Sequence, residues 1–219
     1  MTGSPLSFGW RQAPLAASHL IKGAALWKEI FDRVSVRSYT DQPVEPEKIE
    51  AILRAGMCAP SAGNERPWHF VVLRHPEEFL PLMQVSEHLQ MLPKASYVIL
   101  VCGDTTQKRY RFDFWVQDCC AALENMLIEA KHLGLGAVWC GIYPDEEKIV
   151  RIRQMYGLPE TVEVLALMPV GYPAAERQVR DRYKPERVHI GRWDTVLGAG
   201  MTLADHAAPP EDRAAPRTD

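Results

Sequence analysis

Cysteine is scarce in this sequence, and long apolar runs are missing. The five cysteines are odd in number and form no C-x-x-C pair, which indicates neither a disulfide framework nor a zinc site. We interpret them as small buried residues of a protein from a reducing compartment, the cytoplasm. The longest apolar runs, such as residues 97–102, are far too short to span a bilayer. The N-terminal residues lack a basic segment followed by a continuous apolar run, so we do not expect a secretory signal.

The motifs of several enzyme classes are also missing. The sequence has no G-x-S-x-G, no H-E-x-x-H, no P-loop and no G-x-G-x-x-G pattern. Its seven histidines are scattered, and no two of them lie at ligand spacing on one helix face. A net charge of −3 gives no reason to expect nucleic acid or an anionic membrane as a partner. Triad hydrolysis, metal catalysis and phosphoryl transfer are therefore poorly supported.

What the sequence does contain is an alternation of apolar strands with amphipathic helices. We predict strands near residues 68–73, 94–102, 135–143 and 161–170, and helices near residues 24–32, 43–58, 76–85, 112–133 and 145–156. This alternation predicts an α/β or α+β layer fold and leaves the strand order open. Because no linker divides the chain, we expect an N-terminal arm over residues 1–22, one domain over 23–204, and a disordered tail over 205–219.

The longest predicted helix, residues 112–133, has more apolar surface than one core face needs. Its apolar residues recur at three- and four-residue steps, and Gly134 is placed to end it in a left-handed cap. An additional apolar stripe contains Phe114, Trp115 and Ala121. The helix could pack against a second subunit as well as its own sheet, or it could be the central core helix of a monomer. The pattern favours neither.

Two polar segments contain the candidate binding residues. Residues 59–72 join a helix to a strand, and Ser61 and Asn64 can bond both the backbone and a ligand. In an extended segment, three alternating side chains point to one side: Arg33, Ser35 and Arg37. Taken alone, the first segment could be only a connection and the second a solvated edge. With Arg182, these groups lack an acid–base pair and suit an anionic, planar cofactor better than they suit hydrolysis.

Four segments resemble, in the same order, the motifs of the nitroreductase family of FMN-dependent oxidoreductases. Residues 33–39, RVSVRSY, are similar to its R-R-S-x-R-x-[FY] motif. Residues 59–70, APSAGNERPWHF, are similar to its A-P-S-x-x-N-x-Q-P-W-x-F motif, which is the most specific of the four. Residues 132–141 resemble the G-L-G strand and the turn that faces the flavin, and residues 182–189 resemble the C-terminal R-[FY]-x-x-x-x-V-H segment.

The resemblance implies an α+β fold in which a mixed β-sheet is flanked by helices as a three-layer sandwich. It also implies an obligate homodimer with two FMN sites at the subunit interface, each FMN touching both chains. The implied contacts to the phosphate and ribityl end are Arg33, Ser35 and Arg182, with Arg37 at the pyrimidine edge. The implied contacts to the ring are Pro60, Ser61, Ala62 and Asn64, with backbone amides around Cys140, Gly141 and Ile142 near its reactive nitrogen.

The activity that the resemblance implies is hydride transfer from NADH or NADPH, through the flavin, to a small acceptor such as a nitroaromatic or a quinone. One site that serves two substrates in turn would show ping-pong kinetics. The flavin would carry the chemistry, with Arg37 as electrostatic support, which agrees with the missing acid–base pair. The alternatives are an enzyme of this fold that cannibalises flavin or removes halogen, and a flavin-binding protein without turnover.

Two positions depart from the family pattern. Val34 stands where the second residue is often Arg, and Arg66 stands where Gln is common. Arg66 could strengthen contacts to the flavin edge or a nucleotide, or it could pair with Glu65 or Asp41, and we expect the pairing. Three aromatic residues could line an acceptor pocket, although packing is their expected role: Phe112, Phe114 and Trp115.

Overall fold

The computed structural model describes residues 28–175, 178–179, 182–198 and 203. The chain divides into two compact units, Gly23–Val179 and a second unit made of Met1–Lys22 and Arg180–Asp219. The predicted arm, residues 1–22, and the predicted tail, residues 205–219, lie outside the described residues. The sheet and all five helices introduced below belong to the first unit.

Five short to medium strands form one sheet. They are β1 Trp68–Leu73, β2 Tyr97–Asp104, β3 Gly136–Ala137, β4 Cys140–Gly141 and β5 Val162–Gly171. The order across the sheet is β1-β2-β5-β3, and β4 also pairs with β5. Every pairing between these strands is antiparallel, and the parallel component is a single bridge between Ser35 and Ala137. The α+β class is confirmed.

The helices are α1 Lys28–Asp32, α2 Pro46–Met57, α3 Pro76–Phe79, α4 Trp115–His132 and α5 Glu146–Tyr156. Short 3₁₀ turns connect them, at Ala62–Asn64, Leu80–Gln84, Glu87–Leu89 and Leu92–Lys94. Within the described part of the chain, no helix combines the length and the apolar character that crossing a membrane requires.

Two cores, one on each face of the sheet, give the three layers that were predicted. Side chains alternate along a strand, so neighbouring residues of β2 serve different cores. Ile99 packs with α2 and α4 in one core, and Leu100 packs with α3 and α5 in the other. Within α4, eight side chains are buried. Of the additional stripe, Trp115 is buried while Ala121 stays half-buried, so the contact with a second subunit remains a prediction.

Helix boundaries differ from the predictions where proline intervenes. The segment predicted as a helix over residues 76–85 is α3 followed by a 3₁₀ turn, because Pro81 lacks an N–H and would clash with the preceding helical turn. Helix α2 begins at Pro46 and not at residue 43, with proline in its first turn. Helix α4 begins at Trp115, so Phe112 lies in a loop and is exposed, and the expectation that it is packed inside is wrong.

The predicted caps are confirmed. Gly134 has a φ of 75°. Leu135 N donates to Ala130 O at 2.8 Å, which closes α4 in a Schellman turn. At α5, the Asp145 side chain accepts from Lys148 N, and Gly157 ends the helix with a φ of 61°. These ends depend on local chemistry alone.

The five cysteines are free, and only two of them are fully buried. Cys102 and Cys119 fit the prediction of small buried residues. Cys58 is exposed, which the prediction missed, because it caps the C-terminus of α2 at the surface. Cys120 and Cys140 are half-buried.

Candidate functional site

The loop before β1 has an unusual backbone. Gly63, Asn64 and Arg66 all have φ in the left-handed region, at 55°, 58° and 49°. Residues with a Cβ rarely adopt this conformation, and strain of this kind persists only where surrounding bonds enforce it. Ser61 enforces it from within the loop, because its Oγ accepts from Arg66 N at 3.0 Å. The loop is therefore held in a defined conformation.

Helix α4 holds the same loop through Asp118. Ala62 N donates to Asp118 Oδ1 at 2.9 Å. Asp118 is 5 % exposed, and its Oδ2 is buried without a hydrogen-bond partner among the described residues. Burial raises the pKa of Asp118, the Ala62 N–H opposes this rise, and the charge of Glu65 adds to it. Sequence reasoning missed Asp118, although a carboxylate on the buried face of a helix was a signal that could have found it.

Arg66 has a structural partner, but not the predicted one. Its Nε donates to Asn64 Oδ1 at 2.8 Å. The two expected partners are engaged elsewhere, since the Glu65 carboxylate accepts from Arg109 N and Asp41 pairs with Lys94. Pairing with Glu65 or Asp41 is therefore wrong. Because Arg66 occupies the Asn64 oxygen, the group that Asn64 can offer a ligand is its NH₂ donor.

The segment with Arg33, Ser35 and Arg37 is fixed against β3 by backbone contacts. Val36 N donates to Ala137 O at 2.9 Å, next to the bridge between Ser35 and Ala137. The fit is tight, because a Cβ on Gly136 would lie 2.6 Å from Val36 Cγ1. The buried Tyr39 closes the segment by donating from its hydroxyl to Val36 O at 2.7 Å.

The two arginines of this segment differ in their surroundings. Arg33 Nε lies 3.1 Å from Glu124 Oε1 on α4, so part of its charge is neutralised. Arg37 is exposed and has no ion pair within the described residues. Its charge acts on β4, where burial raises the pKa of the Cys140 thiol to about 11 and Arg37 opposes that rise. Arg37 is therefore a cation that a ligand at this edge could approach.

Beside Arg37, β4 leaves room for a ligand at Gly141. Gly141 is exposed, and a Cβ placed on it would meet no atom within 4 Å. The neighbouring Ile142 is buried, and its N–H already donates to Leu165 O at 3.0 Å. Of the three predicted backbone amides, the one of Ile142 is thus engaged within the protein.

The predicted site residues fall into two groups at opposite edges of the sheet. Arg33, Ser35 and Arg37 lie with β3 and β4 at one edge, and residues 60–64 precede β1 at the other. Three strand spacings separate β1 from β3, which is about 14 Å. The α4 residues that hold the groups, Asp118 and Glu124, are six positions apart and thus face directions about 120° apart. Within one chain, the two groups therefore lie about three strand spacings apart.

Arg182 belongs to the second unit and is exposed. The described residues of that unit include a 3₁₀ turn, Pro185–Arg187, and a bridge between His189 and Val196. The His189 ring stacks on Trp193 with centroids 4.2 Å apart and planes at 12°. The phosphate contact expected of Arg182 stays a prediction.

Comparison with known proteins gives the class and then the family. A protein from Archaeoglobus fulgidus with the provisional name NADH dehydrogenase/NAD(P)H nitroreductase is 45% identical over 169 residues, which are 76% of this chain and 97% of that protein. A crystal structure with the same provisional name, from Bacteroides thetaiotaomicron, is 39% identical with a TM-score of 0.72 and covers 76% of this chain and 96% of its own.

A structure from Desulfovibrio desulfuricans, provisionally named a nitroreductase and solved in complex with FMN, is 31% identical with a TM-score of 0.62. It covers 71% of this chain and 90% of its own. These similarities define an α+β oxidoreductase class. The model of the nitroreductase family matches residues 30–96 and 81–172, which is more than half of the sequence. The chain belongs to the nitroreductase family.

Proposed function

We propose that this protein binds FMN between two copies of the chain and passes a hydride from NADH or NADPH to a small acceptor such as a nitroaromatic or a quinone. Its class is established by the family: it is an NAD(P)H-dependent oxidoreductase with FMN as cofactor. When bound, FMN supplies the redox chemistry, because it accepts a hydride from the nicotinamide and delivers two electrons to the acceptor.

The observation that carries this proposal is the division of the site between opposite edges of the sheet. One edge offers cations and open space, at Arg37 and Gly141. The other offers a rigid loop with hydrogen-bonding groups, at Ser61 and Asn64. Two copies related by a two-fold axis would place one edge of each copy against the other edge of its partner. This arrangement supports a homodimer with two shared sites.

The chemistry of the free groups fits FMN. Arg33 keeps guanidinium N–H groups beyond the Nε that faces Glu124, and with the Ser35 hydroxyl it can hold a phosphate. Arg37 can stabilise negative charge that develops at the pyrimidine edge. The Asn64 NH₂ and the Ser61 hydroxyl can donate to the ring, and the space at Gly141 admits the backbone close to it.

This chain needs no general acid or base for the proposed reaction. Asp118 is a buried carboxylate near the loop, but its Oδ1 is occupied by Ala62 N. The proposed role of Asp118 is to hold the loop in place. Reduction of nitro or quinone acceptors draws protons from water, so the chain's contribution is to bind, to orient and to supply positive charge at Arg37.

Anaerobic stopped-flow spectroscopy tests the proposal. Purified protein should be yellow, and its flavin absorbance should bleach rapidly with NADH or NADPH and return when a nitroaromatic or quinone is added. Steady-state rates should give the parallel reciprocal plots of a ping-pong reaction. Protein that retains FMN yet fails to bleach contradicts hydride transfer. Slow, oxygen-dependent loss of the flavin itself would indicate flavin-cannibalising chemistry instead.

Mass measurement in solution tests the shared site separately. We expect a dimer that carries two FMN molecules. A stable monomer with one bound FMN would contradict the division of the site between two chains, whatever the reaction.

A further inference from the structure

A loop between β2 and α4, residues 105–114, concentrates cations and aromatic rings that the proposed reaction does not use. Its ten residues, TTQKRYRFDF, include three cations, three aromatic rings and a single acidic residue. Nothing in the FMN contacts described above requires them. Where these residues lie in the fold decides which ligand they can contact.

The 105–114 loop is attached to the candidate FMN loop. Arg109 N donates to the Glu65 carboxylate. The Tyr110 ring lies against Gly63, where a Cβ would come within 2.9 Å of Tyr110 Cε2. It packs edge-to-face with the Phe114 ring, with the ring centroids 5.8 Å apart. At its start, Asp104 Oδ1 accepts from both the backbone N–H and the hydroxyl of Thr106. The loop therefore stands beside residues 61–66 in a defined conformation.

The outer surface of this loop is positively charged. Lys108 is paired with Asp113, the loop's only acidic residue. Arg109 and Arg111 are exposed and make no ion pair with any described residue. The Arg111 guanidinium lies 4.5 Å from the centroid of the Phe112 ring, and that ring is 56 % exposed. Among the described residues, no carboxylate pairs with Arg109 or Arg111, and Arg111 lies over one face of the exposed Phe112 ring.

We propose that the 105–114 loop binds the adenosine diphosphate half of the dinucleotide donor, with Arg109 and Arg111 at its phosphates and Phe112 against its adenine. Guanidinium forks suit phosphate oxygens, and aromatic rings stack on bases. Tyr110 is a positioning residue that keeps the loop on Gly63. The inference rests on the proposed function, because it assumes that the nicotinamide half reaches a flavin beside residues 61–66.

The charge of the two arginines favours the dinucleotide donor over the acceptor as the ligand of the 105–114 loop. Nitroaromatic and quinone acceptors can be neutral and have no phosphate to bind, so two free arginines would add little to their affinity. Both NADH and NADPH carry a pyrophosphate. The loop should therefore serve either donor, and the binding of both should weaken as ionic strength rises.

Calorimetric titration of the FMN-loaded protein with 1,4,5,6-tetrahydro-NADH, which cannot transfer hydride, tests the inference by binding alone. We expect R109A/R111A to bind this analogue about tenfold more weakly and with less dependence on salt than the unmodified protein. F112A should weaken it by a smaller factor. R74A is the matched control, since Arg74 is an exposed cation just beyond the opposite end of β1, and its affinity should not change. Equal affinity in R109A/R111A and the unmodified protein would overturn the inference.

A donor without phosphate supplies the second arm. 1-Benzyl-1,4-dihydronicotinamide should reduce the flavin of R109A/R111A as fast as that of the unmodified protein. An equal loss with both donors would overturn the inference, because it would mean that the loop positions the flavin and not the dinucleotide. Bleaching of the unmodified protein by neither donor, combined with tight analogue binding, would refute the proposed function and leave the loop's binding role standing.

Discussion

The two edges of the sheet build their parts of the site by different means. At the β3 edge, backbone pairing holds residues 33–37, and a glycine without a side chain permits the contact. At the β1 edge, side chains from Ser61, Arg66 and Asp118 hold a loop with left-handed residues. The first edge presents charge and the second presents oriented hydrogen-bond donors. A cofactor with an anionic end and a planar ring would need both.

Subunit mixing gives the most severe test of this division. R37A at one edge and N64D at the other should each lower the rate of flavin reduction by about 100-fold, because each removes a group that the proposed site directs at the cofactor. Random re-pairing of the two variants makes half of the dimers mixed, and each mixed dimer has one intact site. The mixture should therefore recover about a quarter of the unmodified activity.

The control for this mixing experiment is each variant taken alone through the same dissociation and re-pairing. Neither should gain activity. If the mixture kept the low activity of the single variants, the whole site would lie within one chain, and the two edges would not be parts of a shared site.

Stability measurements separate tight packing from open space at the β3 edge. G136A should lose about 1–3 kcal/mol of unfolding free energy, because its Cβ would clash with Val36, which the backbone holds in place. G141A on the neighbouring β4 should stay within about 0.5 kcal/mol, since nothing lies within 4 Å of its Cβ. Urea unfolding of the two variants measures both values, and similar losses would show that the edge is uniformly packed.

The pH dependence of stability tests how the β1 edge is held. The folded-state pKa of Asp118 is raised by burial, so the native state binds the proton more tightly than the unfolded chain does. The stability that this group contributes is complete below its unfolded pKa of about 3.9 and is lost as the pH rises through the folded-state value. D118N keeps an oxygen for Ala62 N, and we expect its stability relative to the unmodified protein to increase with pH in that window.

D145N is the matched control and should show the opposite slope. Lys148 lowers the pKa of Asp145, so the stabilising effect of this carboxylate is present above its unfolded pKa and lost as the pH falls. Unfolding curves in urea between about pH 2 and 8 cover both windows, above the unfolded pKa for Asp118 and below it for Asp145. If the stability difference between D118N and the unmodified protein did not change with pH, the Asp118 carboxylate would not lie in the buried environment described above.

The smallest expected effect is at Arg66. R66Q introduces the residue common in the family, and its amide can still donate to Asn64 Oδ1, so FMN affinity should change less than about threefold. R66A removes the donor and should weaken FMN binding by up to about tenfold, the effect of one modest hydrogen bond. Fluorescence titration with FMN measures both, and an R66Q effect larger than that of R66A would assign the cation itself to the cofactor.

Features that depend on neighbouring residues were predictable from the sequence. The caps at Asp145, Gly134 and Gly157 follow from side chains and left-handed glycines at helix ends, which act over four residues or fewer. The segments resembling the family motifs led to the fold and the cofactor. Pro81 shows the limit of periodicity, because the apolar spacing of residues 76–85 was helical while the missing N–H was not compatible with a helix of that length.

Partners in space were not predictable in the same way. Asp118 is 56 positions from Ala62, and no local pattern connects a helix carboxylate with a loop N–H at that separation. The partner of Arg66 was misjudged because charge favours Glu65 next to it, whereas the left-handed backbone turns the side chain toward Asn64. Loop conformation depends on bonds from distant elements, so residue type alone could not decide it.

Local chemistry and motifs were enough to predict the residue types of the candidate site, the ends of α4 and α5, and the family. The tertiary structure alone decided the strand order β1-β2-β5-β3, and with it the placement of the two groups at opposite edges. Alternating apolar residues tell which face of a strand is buried, but they do not tell which strand lies beside it. That order is the physical reason for proposing that two chains share one site.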